Sequence, residues 1–184
     1  MKLEKFALVL RKIDRYDQWV YGLLSPHLNG GKILSVGCGE GRAESLLKEK
    51  KKINIIGVEI TKYKEQKIPV KFYDGKRLPF NKRIFDTTIF VYALHHSNNI
   101  EGLLKEAVRV TKNNIIIMDH TYSDAVSKAL LKGYDYFANV FYDMPVPFNF
   151  LKIIEWGRLF RKLNLEIEEA SITSPMNVLF KLKV

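Results

Sequence analysis

Lys32-Ile-Leu-Ser-Val-Gly-Cys-Gly-Glu-Gly41 is the most informative segment of the sequence. A short apolar strand, 33–36, leads directly into a glycine-rich turn, and residues 42–50 have the composition of a helix. Glycine allows positive φ angles and lets backbone N–H groups approach a ligand without a Cβ in the way. A strand, a tight glycine turn and a helix N-terminus together predict a site for a nucleotide-like ligand.

Strands and helices alternate on both sides of this turn. Residues 6–24 have apolar positions at helical spacing, so we expect residues 1–31 to form an N-terminal helical segment. Apolar runs predict strands at 53–60, 70–73, 86–91 and 115–118, and residues 101–110 are predicted to be a helix that is followed by a turn at Asn113-Asn114. This alternation predicts an α/β fold with a doubly wound, mostly parallel sheet.

The last third of the chain departs from this alternation. Residues 122–150 are rich in aromatic residues and proline, and we interpret them as an insertion that caps a site. A helix is predicted at 151–162, followed by strands at 165–172 and 178–184 that a short joint could close into a hairpin. The seventh strand is therefore expected to run antiparallel to the others, within a single domain of residues 1–184.

Composition narrows the class of protein. Of the 184 residues, 47% are hydrophobic and 27% are charged, which is typical of a soluble globular protein. No apolar run approaches the ~20 residues that span a bilayer. The N-terminal apolar run is too short for a signal peptide, so a cytoplasmic protein without a membrane partner is expected.

Cysteine and charge limit the partners. Cys38 is the single cysteine, which excludes an intramolecular disulfide and a cysteine-based metal site, and we expect no metal. The formal net charge is +10, so nucleic acid stays an alternative partner. The lysines are spread along the chain rather than gathered in one block, which is also typical of a lysine-rich protein without such a partner.

Several motifs in one order resemble the class I S-adenosylmethionine-dependent methyltransferases, especially methyltransferase type 11, over roughly residues 15–184. They are Val36-Gly-Cys-Gly-Glu-Gly41, Gly57-Val-Glu-Ile60, Tyr73-Asp-Gly-Lys-Arg-Leu-Pro-Phe80, Phe85-Asp86 leading to Leu94-His95-His96, and Glu106-Ala-Val-Arg-Val110. Tyr16-Asp-Gln-Trp19 is similar to an entry sequence of some members. The resemblance implies a Rossmann-like methyltransferase fold and S-adenosylmethionine as cofactor.

The resemblance also implies which residues surround the cofactor. The backbone of the glycine turn would follow its methionine part, a carboxylate would accept both ribose hydroxyls, and three residues would border the adenine. The residues of the glycine turn are Gly37, Cys38, Gly39 and Gly41, and the carboxylate is that of Glu59. The residues beside the adenine are Ile60, Asp74 and Gly75. Phe90 and Val91 would flank the methionine part, and Tyr16 would cover it from outside.

Ser35 departs from the family pattern. The family usually has Asp or Glu two residues before the first glycine, where a carboxylate helps to hold the positive amino group of the cofactor. A serine hydroxyl makes a weaker, neutral hydrogen bond. We therefore expect ordinary or weakened cofactor affinity, and a cofactor-binding subunit without activity remains an alternative.

The expected activity is methyl transfer to a small, partly apolar acceptor, with an RNA acceptor as the main alternative. If the acceptor must lose a proton, His95, Asp119 and His120 are the candidates for the base. His95 and His96 are adjacent and are expected to point in different directions, which makes them a poor metal pair. Asp135 and Asn139, four residues apart, are candidate substrate contacts.

A nicotinamide-dependent oxidoreductase is the least favoured alternative. Its glycine fingerprint requires a third glycine at position 42, where this chain has Arg42.

Overall fold

Seven strands form one sheet in the computed structural model of the chain, which describes residues 15–139 and 147–184. The strands are β1 (Lys32–Val36), β2 (Asn54–Glu59), β3 (Val70–Phe72), β4 (Phe85–Val91), β5 (Thr111–His120), β6 (Glu166–Ser174) and β7 (Asn177–Lys183). Their order across the sheet is β3-β2-β1-β4-β5-β7-β6.

The first five strands are parallel, and β7 lies antiparallel between β5 and β6. This arrangement confirms the predicted α/β fold, with a mostly parallel seven-stranded sheet and an antiparallel last strand. The chain order reverses at β1, since β2 lies on one side of it and β4 on the other. Open α/β sheets bind ligands beyond the carboxyl ends of the strands at such a point.

Helices cover both faces of the sheet. The described helices are α1 over residues 15–24, α2 (Arg42–Lys51), α3 (Ile100–Val110), α4 (Ala125–Asn139) and α5 (Ile153–Lys162), and there is a short 3-10 turn at Leu94–His96. Val20 of α1 and Leu47 of α2 are buried in one apolar cluster, and Leu104 of α3 and Trp156 of α5 are buried in the other. Both clusters pack on the same sheet, which explains why its central strands are apolar on both faces.

The predicted turn at Asn113-Asn114 is wrong. α3 ends at Val110, and Thr111 already begins β5, so both asparagines lie inside a strand. Thr111 makes the direct junction feasible, because its buried hydroxyl donates to the carbonyl of Ala107 at 2.6 Å and closes the end of the helix.

Several further boundaries and one segment differ in extent from the expectation, and β5 extends over Thr111–His120 instead of 115–118. The final helix begins at Ile153 rather than 151, and β3 ends at Phe72. Part of the predicted insertion, 125–139, is the helix α4. Residues 1–14 and 140–146, which include much of the predicted N-terminal helix, lie outside the described residues. Within the described ranges, no helix has the length and apolar character to cross a membrane.

Candidate active site

The glycine turn after β1 has one open position. Gly37, Gly39 and Gly41 all have positive φ, between 55° and 73°. A Cβ at Gly37 would lie 2.6 Å from Ala93 Cβ, and one at Gly41 would lie 2.5 Å from Ile68, so these two glycines are required by packing. At Gly39 a Cβ would meet nothing within 4 Å. The turn therefore packs against the protein at both ends and is open in the middle, where a ligand can approach.

Glu59, at the end of β2, holds this turn in place. Its carboxylate accepts hydrogen bonds from the N–H of Gly39 at 2.8 Å and of Ile60 at 2.7 Å, and the residue is almost fully buried. An ionised carboxylate can accept about four hydrogen bonds, so these contacts leave capacity for hydroxyl donors.

Ile60, Asp74 and Gly75 meet beside the end of β2. The side chain of Ile60 is 58% exposed and would lie 3.5 Å from a Cβ at Gly75. Asp74 accepts from the N–H groups of Lys76 and Arg77 at 3.0 and 3.2 Å, and these donors lower the pKa of its carboxyl. An exposed apolar side chain beside an ionised acceptor suits a flat heterocycle that has an amino group.

Two residues of the predicted cofactor set turn their side chains away from this region. Cys38 is buried against Gly57, and burial raises the pKa of its thiol far above the usual range, so it stays protonated. Phe90 is fully buried in the core. Only the backbone of Cys38 and of Phe90 can border a ligand, whereas Val91 is partly exposed.

Ser35 and Glu44 form a buried pair behind the turn. The hydroxyl of Ser35, which is fully buried in β1, donates to Oε1 of Glu44 at 2.7 Å. Glu44 belongs to the first turn of α2 and is only 4% exposed. The serine that departs from the family pattern therefore contacts a carboxylate that comes from α2.

Aromatic side chains surround the carboxyl ends of β4 and β5. We call Tyr16, Trp19, Tyr92 and Tyr134 the aromatic wall. Tyr16, Trp19 and Tyr92 lie within 6.2 Å of one another, between ring centroids. The ring of His120 lies 4.6 Å from that of Tyr92 and 6.1 Å from that of Tyr134. Tyr16 and Tyr134 are 44% and 62% exposed, so the wall faces accessible space.

His95 is held between two buried carboxylates. Its Nδ1 lies 2.5 Å from Oδ1 of Asp119, and its Nε2 lies 3.5 Å from Oδ1 of Asp135 on α4. Burial alone would lower the pKa of His95, but Asp119 and Asp135 raise it to about 9. At neutral pH His95 is therefore a cation, which cannot accept a proton.

Asp119 is unsuited to be a base for a similar reason. It is fully buried and accepts from the N–H groups of Leu94 at 3.0 Å and His120 at 2.6 Å, in addition to its contact with His95. Burial would raise the pKa of this carboxyl, but His95 and the backbone donors keep it below its ordinary value. Asp119 orients groups around it instead of taking up a proton.

The expectation that His95 and His96 point in different directions is wrong. Nε2 of His96 lies 3.8 Å from the same Asp135 oxygen that His95 approaches, because the 3-10 turn directs both rings toward α4. Together the three side chains offer ligand atoms within 4.8 Å of one another, so this group could hold a metal ion. A metal ion there would have to displace the Nε2 proton of His95.

His120 has the properties of a neutral base. Its Nδ1 lies 2.6 Å from Oδ1 of Asn177, whose Nδ2 donates to Ser174 Oγ at 2.6 Å. In this amide orientation Oδ1 of Asn177 accepts from Nδ1, so Nε2 carries the lone pair of the neutral ring. Burial and the cationic His95 lower the pKa of His120, which keeps the ring neutral.

The comparison with protein families identifies the domain. Residues 34–118, which run from β1 to β5, match the family model described as a methyltransferase domain. This part of the chain is therefore a methyltransferase domain of the class I, S-adenosylmethionine-dependent type. Among curated proteins, none matches the sequence.

Solved structures share the fold of this methyltransferase. Geranyl diphosphate C-methyltransferase from Streptomyces coelicolor, in complex with Mg²⁺, geranyl diphosphate and S-adenosyl-L-homocysteine, has a TM-score of 0.73 and 12% identity over 95% of this chain and 82% of its own. A possible histamine N-methyltransferase from Thermotoga maritima has a TM-score of 0.64 and 20% identity over 94% and 96%. A methyltransferase in complex with the Trm112 activator of Haloferax volcanii has a TM-score of 0.63 and 13% identity over 91% and 96%.

The site of this methyltransferase fits its cofactor chemically. The opening at Gly39 suits an amino-acid chain, the carboxylate of Glu59 suits ribose hydroxyls, and the exposed Ile60 suits the face of adenine. These features come from the turn after β1 and from the end of β2, which meet at one edge of the sheet.

Sequence reasoning missed Glu44, Tyr92 and Asn177 as members of the site. Glu44 could have been noticed, because it lies on the buried face of α2 with Ala43 and Leu47, where an acid is unusual. Tyr92 has a positive φ of 51°, which no pattern in the sequence indicates. Asn177 meets His120 only through the pairing of β5 with β7.

Proposed function

We propose that this methyltransferase transfers the methyl group of S-adenosylmethionine to a small, partly apolar acceptor that lies against the aromatic wall. The observation that carries the proposal is the position of neutral His120, which contacts this wall at the carboxyl edge of the sheet. A surface of this kind binds an apolar molecule and offers it one proton acceptor.

The cofactor would lie along the edge formed by the glycine turn and the end of β2. The open backbone around Gly39 would follow the methionine part, Glu59 would accept the ribose hydroxyls, and Asp74 would accept the adenine amino group. The remaining contacts are assigned to the backbone of Gly37, Cys38, Gly41 and Gly75 and to the side chains of Ile60, Val91 and Tyr16.

Methyl transfer mainly requires the protein to align the acceptor with the methyl group. When bound, S-adenosylmethionine supplies a methyl group that is already activated by a cationic sulfur. The aromatic wall would exclude water and hold the acceptor in line, at about 3–3.5 Å from the methyl carbon. The faces of Tyr16 and Tyr92 also favour a nearby positive charge.

His120 would remove a proton from an acceptor that must lose one. Its Nε2 makes no hydrogen bond to any described residue, and Asn177 holds the opposite side of the ring. Asp119 donates nothing but accepts from the His120 N–H, so it fixes the backbone that carries the ring. His95 would be a positioning residue that links this backbone to α4.

Calorimetry separates the main alternatives. We expect S-adenosylmethionine and S-adenosylhomocysteine to bind and NAD not to bind. Formation of S-adenosylhomocysteine should then be measured with panels of small phenols, amines and carboxylic acids, and with total RNA. Binding of NAD alone would overturn the proposal. Cofactor binding without transfer to any acceptor would support a cofactor-binding subunit.

An RNA acceptor is the second candidate, and the net charge of +10 favours it. Neutralised phosphates release counterions, so retention on immobilised tRNA should fall steeply with salt if RNA is the substrate. Weak retention that does not change with salt would leave the small molecule as the acceptor.

A further inference from the structure

Glu44 is a buried carboxylate without a counter-ion among the described residues. It is 4% exposed, and its described side-chain partner is the neutral hydroxyl of Ser35. Taking a carboxylate out of water without a cation is strongly unfavourable. Burial accordingly raises the pKa of Glu44 above its ordinary value.

Its surroundings make the charge more unfavourable. Asp17 and Glu59 both raise the pKa of Glu44 further, and Arg42, the nearest cation in sequence, is directed to Asp17 at 2.9 Å. A carboxyl group in such surroundings is held in its protonated form, and a positive group that approaches from a ligand would favour ionisation.

The location defines which ligand can supply that group. Glu44 stands in the first turn of α2, three residues after Gly41, and its hydrogen bond to Ser35 brings its carboxyl group behind the glycine turn, two residues before Gly37. It therefore lies close to the opening at Gly39, where the amino-acid part of the cofactor has been proposed to bind.

We propose that Glu44 is the partner of the cofactor's ammonium group, and that Ser35 is a positioning residue that orients the Glu44 carboxylate. This inference rests on the proposed function. The carboxylate reaches the site from α2, so Ser35 in β1 does not imply a weakened cofactor site.

The first test compares two ligands that differ in the ammonium group. S-adenosylhomocysteine contains it, and methylthioadenosine lacks the whole amino-acid group. For Glu44→Gln, calorimetry should show S-adenosylhomocysteine binding at least about 10-fold weaker, since a charge-assisted hydrogen bond is lost. Methylthioadenosine should bind as it does to the wild type. Glu49→Gln, an exposed change on the same helix, is the matched control and should alter neither affinity.

The second test moves the carboxylate to the strand. Ser35→Asp alone would place two acids next to each other and should weaken binding and stability. The double variant Ser35→Asp with Glu44→Gln keeps one acid and one neutral partner, and should recover much of the S-adenosylhomocysteine affinity. Tighter binding by Ser35→Asp alone would contradict the inference.

The binding measurements distinguish a failure of the proposed role of Glu44 from a failure of the proposed function. Equal losses for both ligands in Glu44→Gln would mean a general disturbance of the site and would overturn the role of Glu44. A wild-type protein that binds neither ligand would instead overturn the proposed function. Thermal unfolding of each variant identifies those that do not fold, and Ser35→Ala, a smaller change, should then show a selective loss for S-adenosylhomocysteine.

Discussion

Cys38 shows how a reactive residue type is made inert. Its thiol is buried next to Gly57, and burial raises its pKa far above the usual range. Since the thiolate is the reactive form, we expect an aromatic disulfide reagent at pH 8 to modify the folded protein on the order of 100-fold more slowly than the unfolded one. The single cysteine makes the absorbance change unambiguous. Equal rates in the folded and unfolded protein would contradict the assignment.

His120 and Asn177 should determine the pH dependence of the reaction. Burial lowers the pKa of His120, so kcat/KM for an acceptor that loses a proton should rise with pH up to a pKa below 6.5 and then stay flat. Asn177→Asp places a carboxylate beside Nδ1 and should move this limb to higher pH by about one unit or more. The charged and titratable groups around His120 are His95, Asp119, Asp135, Tyr92 and Tyr134.

The control for this change is Asn164→Asp, which lies on the surface between α5 and β6. It should leave the pH profile unchanged. An unshifted limb in Asn177→Asp would exclude His120 as the base.

The sequence does not predict which residues that are far apart along the chain contact each other in the site. The sequence pattern indicates His95, Asp119 and His120 individually, but not that the first two are paired with each other, which leaves His120 as the proposed base. His95 and His120 differ in protonation because of burial and because Asp135 on α4 contacts His95. Neither can be seen from a residue and its neighbours in sequence.

At the scale of elements, α3 holds the loop that follows β3. Arg109 donates to the carbonyls of Leu78 at 3.0 Å and Phe80 at 2.7 Å, while Glu106 accepts from the N–H of Leu78 at 2.9 Å. Lysine cannot reproduce this planar set of donors. We therefore expect Arg109→Lys to lower the free energy of unfolding by about 1–2 kcal/mol, measured by urea denaturation.

Arg161→Lys, an exposed change on α5, is its control and should have an effect within about 0.5 kcal/mol. Equal effects of the two substitutions would mean that Arg109 does not hold the loop.

Elements with strong patterns could be predicted, and junctions could not. The apolar runs that form β1, β2 and β4 can be recognised because buried parallel strands are apolar throughout, whereas the hairpin of β6 and β7 is indicated by its short joint. The direct passage from α3 to β5 was missed, since Asn113 and Asn114 have the composition of a turn. There, pairing of Asn114 with Lys183 and Thr87 overrides local preference.

For the whole molecule, His95 links stability to pH. Its pKa is raised to about 9 in the folded protein, compared with about 6.5 when unfolded, so its contribution is fully present below pH 6.5 and is lost as pH rises through 9. The contribution amounts to roughly 3 kcal/mol at most. Unfolding free energy should therefore decline across this window, and His95→Gln should remove most of the decline.

Substitution of His27 by Gln, outside the site, should retain the decline. A wild-type stability that is constant between pH 6.5 and 9 would mean that His95 is not a cation in the folded protein.

The position of β7 sets the order in which the sheet can be completed. β5 ends at residue 120, but its outer edge pairs with residues 177–183, which lie far along the chain. During synthesis the nascent chain therefore exposes the edge of an apolar strand until β7 has left the ribosome. Closing such a long loop is slow, and an open edge can pair with another chain. We expect aggregation during translation, rather than low stability of the finished fold, to limit the yield of this protein.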